Sequence, residues 1–165
     1  MKAITSRALL SDLRELITQA REDVARTVNS ALVLLYWRIG KRIRQDILKE
    51  RRAQYGEQII VTVSIELTRE FGRGFSEKSL RRMMQFAEVL PDESIVASLM
   101  RQLTWTHFLE IIPLRDDLQR DFYAEMCRIE RWSTRTLQER IQSMLFERTA
   151  VQARPRLAQR EMRNA

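Results

Sequence analysis

Cysteine and histidine occur once each, as Cys127 and His107, in a chain of 165 residues. One of each cannot build a zinc site or a disulfide framework. Glycine occurs four times and proline three times, too few for a turn-rich β-sandwich or a disordered linker protein. No apolar run approaches the length of about 20 residues that spans a membrane. The first 15 residues hold no signal-peptide core, because Arg7, Asp12 and Arg14 break every apolar stretch. Lysine is scarce as well, with 4 against 25 arginines.

What is present is apolar and basic. At 44% hydrophobic, a chain of this size buries a core, roughly 70% of its unfolded surface. It reads as a soluble, cytoplasmic, mostly helical protein. The 29 basic groups against 22 acidic ones leave a net charge of +7. Guanidinium binds phosphate bidentately, so the arginine excess points to a phosphate-bearing or acidic partner. The charge is unevenly spread. Residues 1–87 carry 17 basic and 10 acidic groups, residues 88–125 carry 3 and 8, and residues 126–165 carry 9 and 4. An acidic middle between two basic flanks predicts one or two directional basic faces.

The periodicity predicts an all-α, multi-helix domain over residues 1–150, followed by a basic tail or connector at 151–165. From about Ser6 to Arg52, Leu9, Leu13, Leu16, Ala20, Val24, Val28, Leu32, Leu35, Ile39 and Ile43 recur every three or four residues, along one helix face. So long a pattern implies a coiled coil or two helices in sequence, with a joint at Asn29-Ser30 or Gly40. A second helix is expected over Glu57–Glu70. Its β-branched run Ile59 to Val63 makes a strand a rival, but the helical period continues past it. A third follows the turn Phe71-Gly72-Arg73-Gly74-Phe75, with Ser76 as N-cap, and stops before Pro91. Further helices are expected over Asp92–Gln102, Thr104–Ile112, Arg115–Glu130 and, capped by Ser133, Thr134–Arg148. In the last, Leu137, Ile141, Met144 and Leu145 are expected to face inward.

Residues 57–90 therefore read as helix, tight glycine turn, helix, the sequence shape of a helix-turn-helix. In the second of these helices Leu80, Met83, Met84 and Ala87 form a core face. Lys78, Arg81, Arg82 and Gln85 repeat the same offsets two residues earlier, about 200° around the helix. Arginine can take guanine's two acceptors, glutamine can pair with adenine, and lysine neutralises phosphate. Arg73 on the turn is placed to reach a backbone phosphate. These five residues are the candidate nucleic-acid-binding set. A solvated basic face on a core helix is the competing reading.

Other features read as structural. The cluster Arg38, Lys41, Arg42, Arg44, Lys49, Arg51 and Arg52 reads as a solvated helix end that could add phosphate contacts. His107 reads as a packed or capping residue and Cys127 as a buried small hydrophobe. Tyr36, Trp37, Trp105, Phe122, Tyr123 and Trp132 read as core aromatics. Asp116, Asp117 and Asp121 read as an exposed acidic turn. No catalytic residue, metal site or cofactor site is expected, because no Gly-rich phosphate loop and no nucleophile–base pair is visible.

The motifs also form an ordered string. Val28-Asn29 precedes Leu35-Tyr36-Trp37-Arg38-Ile39-Gly40-Lys41. Tyr55-Gly56, Phe71-Gly72-Arg73-Gly74-Phe75-Ser76 and Leu80-Arg81-Arg82-Met83 with Phe86 come next. Leu103-Thr104-Trp105-Thr106-His107, Phe122-Tyr123, Trp132-Ser133 with Leu137, and Phe146-Glu147-Arg148 complete it. Over about residues 10–150 this string resembles the N-terminal domain of the YhcG family of PD-(D/E)xK nucleases. The resemblance implies a bacterial protein acting on DNA, in which a helical, helix-turn-helix-like domain precedes a nuclease domain. The nuclease motif is missing from this chain, so the expectation is a non-catalytic DNA-binding module. Its implied partners are duplex DNA and a nuclease domain in the full-length protein; the apolar stripe of the first helix, read on its own, adds a second copy or a partner protein docked through that helix. The alternative is a helical dimerisation or protein-interaction module that does not touch DNA. Thr104 and Thr106 stand where that family usually has serines, which keeps the hydroxyls.

Overall fold

A computed structural model of the chain describes residues 7–50 and 53–151. The described residues are all helical or irregular. The helices are α1 Arg7–Glu50, α2 Ala53–Phe71, α3 Glu77–Val89, α4 Glu93–Leu99, α5 Trp105–Ile111, α6 Asp117–Glu130 and α7 Thr134–Gln142. A last helical stretch lies at 145–151. Arg51, Arg52 and the tail beyond 151 lie outside the described residues.

The first helix has no joint. α1 runs unbroken for 44 residues, about 66 Å at 1.5 Å per residue. The two expected joints have other roles. Asn29 Nδ2 donates to the Leu103 carbonyl at 3.1 Å, and Ser30 Oγ donates to the Met100 carbonyl at 3.3 Å. Both bind carbonyls past the end of α4, where a helix end leaves carbonyls without intrahelical donors. Gly40 is where α1 crosses α3, so closely that a Cβ there would lie 1.9 Å from the Met83 carbonyl oxygen. A missing side chain, not a bend, explains this glycine.

α1 meets the core with a face the sequence pattern did not favour. Val33, Trp37, Gly40 and Ile43 are buried. Of the expected stripe from Leu9 to Ile43, only Ile43 is buried and only Ile39 half-buried among the large side chains, while Leu9 to Leu35 stay exposed. Trp37 Nε1 donates to the Leu90 carbonyl at 2.7 Å, tying α1 to the end of α3.

α3 joins two hydrophobic clusters. Leu80 and Met83 pack with Ile43 of α1 and with Ile59, Val63 and Leu67 of α2. Phe86 and Ala87 pack with Val33, Trp37, Val96, Leu99, Leu103, Phe108 and the α6 side chains Tyr123 and Cys127. The β-branched run of α2 is helical, beginning four residues earlier than expected. Packing against α1 and α3 outweighs the weak strand propensity. α4 is shorter than read, ending at Leu99.

The final helix is broken. α7 ends at Gln142, and Met144 takes a left-handed φ of 56° before the helix resumes. Leu137 is fully buried, and Ile141 and Leu145 pack partly against the core. Met144, read as inward, is instead 56% exposed. The break turns the chain back over α6, where Phe146 meets Phe122 at 5.4 Å between ring centres and its backbone N–H donates to Tyr123 Oη at 3.2 Å.

Candidate nucleic-acid interface

The turn between α2 and α3 is built by its two glycines. Gly72 and Gly74 have φ of 80° and 112°, values that side chains with a Cβ rarely adopt. Gly72 N–H closes α2 on the Thr68 carbonyl at 3.0 Å, and buried Ser64 Oγ donates to the Phe75 carbonyl at 2.8 Å. Ser76 caps α3, accepting from the Ser79 N–H at 3.1 Å. Arg73 stands exposed between the glycines.

α3 holds four of the five candidate side chains together. Lys78, Arg81, Arg82 and Gln85, with Glu77, line one open depression of about 470 Å³. Arg73 does not line it. Lys78 and Arg81 are exposed, while Arg82 and Gln85 are half-buried. Arg82 Nη1 lies 3.5 Å from the Leu109 carbonyl, and Gln85 Nε2 lies 3.4 Å from that of Ile112. Both are long contacts that a competing acceptor displaces readily.

The face is not free of acid. Arg81 binds Glu57 of α2 through two nitrogens, at 2.7 and 3.4 Å. Hydrogen bonding to Arg81 holds the Glu57 carboxyl below its usual range, and the same bond raises the Arg81 guanidinium. No sequence pattern signals this pair, which spans 24 positions and depends on how α2 and α3 pack. It aims the guanidinium but also places a negative charge beside it.

A second opening adjoins the first. Tyr36, Gly74, Lys78, Arg82, Met83 and Trp105 help to line a half-open cavity of about 430 Å³. By sequence Tyr36 and Trp105 are expected in the core. They are half-buried, with ring centres 4.9 Å apart, and border the basic helix.

The remaining signals resolve as structure. His107 is buried between α5 and the loop before α7. Its Nε2 donates to the Trp132 carbonyl at 2.7 Å, since a carbonyl can only accept, and Nδ1 accepts from the Thr104 N–H at 3.0 Å. Thr106 Oγ1 meets Thr134 Oγ1 at 3.1 Å, so the Thr104–His107 signature joins the starts of α5 and α7. Burial pushes the Cys127 thiol up to about 11. In the α1 cluster, Arg38 pairs with Glu93 at 2.8 Å, Arg42 with Asp46 at 3.5 Å, and Lys41 sits 5.0 Å over the Trp37 ring. Among the described residues no group of three or more His, Cys, Asp or Glu side chains stands ready to hold a metal ion. No described helix is long and apolar enough to cross a membrane.

A family profile described as the DUF1016 N-terminal domain matches residues 12–148. The chain belongs to this family. It is similar to an Escherichia coli (strain K12) protein named "Putative nuclease YhcG", with 27% identity over 166 residues. The match takes in 82% of this chain but 44% of that relative, so the chain spans less than half the relative's length. No solved structure matches. Within the matched residues lie the α2–α3 turn, the α3 basic face and the His107 signature, together with all but the first residues of α1.

Proposed function

We propose that this domain is a non-catalytic DNA-binding module that targets a YhcG-type nuclease to duplex DNA, with α3 as the groove-facing helix. One observation carries the reading: Lys78, Arg81, Arg82 and Gln85 line a single open face of α3, on the side away from its buried residues. Guanidinium and carboxamide groups side by side match the acceptor and donor pattern of the major groove. Arg73, held out on the glycine turn, supplies a phosphate contact. The family membership supports the reading, because a relative named as a nuclease is more than twice as long as the matched region. The extra length of that relative has room for the catalytic part. The protein would then act in the bacterial cytoplasm, where its substrate is.

The test is fluorescence anisotropy with labelled duplex at two salt concentrations. Affinity is expected to fall with salt by about 0.9 log unit per log unit for each phosphate neutralised. Arg81→Ala with Arg82→Ala is expected to abolish binding while helicity stays unchanged, since both side chains lie outside the core. Unchanged affinity in that double variant would remove α3 as the contact surface. Duplex cleavage by this chain with a divalent ion would overturn its non-catalytic role.

A further inference from the structure

The N-terminal half of α1 packs against no other described element. Every residue from Leu9 to Val28 is exposed, so about 30 Å of helix projects from the bundle. A lone helix of this length is marginal in water, yet this one carries a continuous apolar stripe. Leu9, Leu13, Leu16, Ile17, Val24, Val28, Leu32 and Leu35 are all exposed, with Leu16 at 67% and Val24 at 63%. On the helical wheel the middle of this stripe lies roughly opposite Val33, Trp37 and Gly40, the face that the bundle already covers; Ile43 sits where the two faces meet. α1 therefore has two apolar faces, one covered and one open.

The stripe is regular. Leu9, Ala20 and Ala31 are eleven residues apart, as are Leu13, Val24 and Leu35, and Ile17, Val28 and Ile39. A period of about 3.67 stays on one side of a nearly straight helix with a slight right-handed drift. At about half exposure each, these side chains leave on the order of 700 Å² of apolar surface, above the largest patch of a typical monomer. It is close to one partner's share of a standard protein interface.

The edges of the stripe say what covers it. Asp12 and Asp23 border one side, Asp23 also holding Arg26 on its side away from the stripe, and Arg14 and Arg21 border the other. When two identical helices pair in parallel, the acidic edge of each meets the basic edge of the other. An antiparallel pair brings like edges together. Beyond Leu35 the same face carries Arg38, Arg42 and Lys49 in place of apolar side chains, with Arg38 and Arg42 held in ion pairs with Glu93 and Asp46, so the apolar contact between two parallel helices ends there. We propose that the chain forms a parallel homodimer through the open α1 face from Leu9 to Leu35. The two bundles, each with its α3, then lie beyond the point where Arg38 ends the apolar contact.

Analytical ultracentrifugation of the chain without DNA, over a range of concentrations, tests this. A monomer–dimer equilibrium is expected. Leu16→Glu or Val24→Glu should weaken it about a hundredfold or more, because each would bury an unpaired charge. Neither side chain contacts the bundle, so near-ultraviolet circular dichroism should keep the native tryptophan signal. Leu13→Cys should give a disulfide-linked dimer under mild oxidation, because equivalent positions this far from the middle of the stripe face each other only in a parallel pair. Cys127 is buried and should not react. A monomer at every concentration overturns the proposal, as does a dimer indifferent to Leu16→Glu. A dimer in which Leu13→Cys chains do not link, while mixed Leu9→Cys and Leu35→Cys chains do, overturns the parallel arrangement.

Discussion

Gly40→Ala should unfold the domain far more easily, although alanine is the better helix former. In an open helix the change would gain about 0.5–1 kcal/mol. At the α1–α3 crossing, however, the new Cβ falls 1.9 Å from Met83 O, 2.3 Å from Met83 C and 2.8 Å from Met84 N. These are backbone atoms, so no rotamer change relieves the clash. Restoring ordinary contact separates the helices by about 1.5 Å, and gaps of 0.5–1 Å already forfeit a quarter to a half of each dispersion contact. Val33, Trp37, Leu80 and Met83 all lie along this seam. Overpacking of this kind typically costs 1–3 kcal/mol, and with the lost contacts the net loss is about 2–4 kcal/mol. Gly56→Ala is the internal control. Its Cβ would meet only the Ile47 side chain, at 3.3 Å, so it should be neutral or stabilising by up to about 1 kcal/mol. Urea unfolding followed by circular dichroism reads both. The urea midpoint of Gly40→Ala should fall while that of Gly56→Ala holds or rises. Equal midpoints for the two variants would refute a close crossing at Gly40, and with it the position given to α3.

Trp37→Phe removes the donor to the Leu90 carbonyl and should cost about 1–3 kcal/mol in the same assay, because a buried acceptor is left unsatisfied. His107→Ala should cost a similar amount by freeing both the Thr104 N–H and the Trp132 carbonyl, with no effect on the α3 surface. Glu57→Gln should tighten duplex binding several-fold at low salt, since it removes the negative charge beside Arg81; weaker binding in anisotropy would mean that Glu57 is needed to aim the guanidinium. Cys127 has its thiol raised from 9.0 to about 11. The folded state holds this proton more tightly than the unfolded one, so its contribution is intact below pH 9 and is lost as pH rises towards 11. Reaction with a thiol reagent at pH 8 should therefore require unfolding, and rapid labelling of the native protein would contradict the burial.

The amino-acid sequence determined the helical class, the glycine turn at residues 72–74 and the cap at Ser76, because these rest on local spacing and backbone sterics. It also placed Lys78, Arg81, Arg82 and Gln85 on one side of a helix, which follows from 3.6 residues per turn. Periodicity could not say which of α1's two apolar faces the bundle would cover. The regular stripe from Leu9 looked like the core face, and the structure buries Val33, Trp37 and Gly40 instead. Nor could local pattern reveal that Asn29 and Ser30 bind carbonyls about 70 positions away, that Gly40 marks a helix crossing, or that Glu57 faces Arg81. Those facts depend on contacts between distant segments, and side-chain period is blind to them because it reports direction around one helix and not what stands opposite. The tertiary structure alone decided that α1 keeps a long apolar face open, with its own core already filled from the other side.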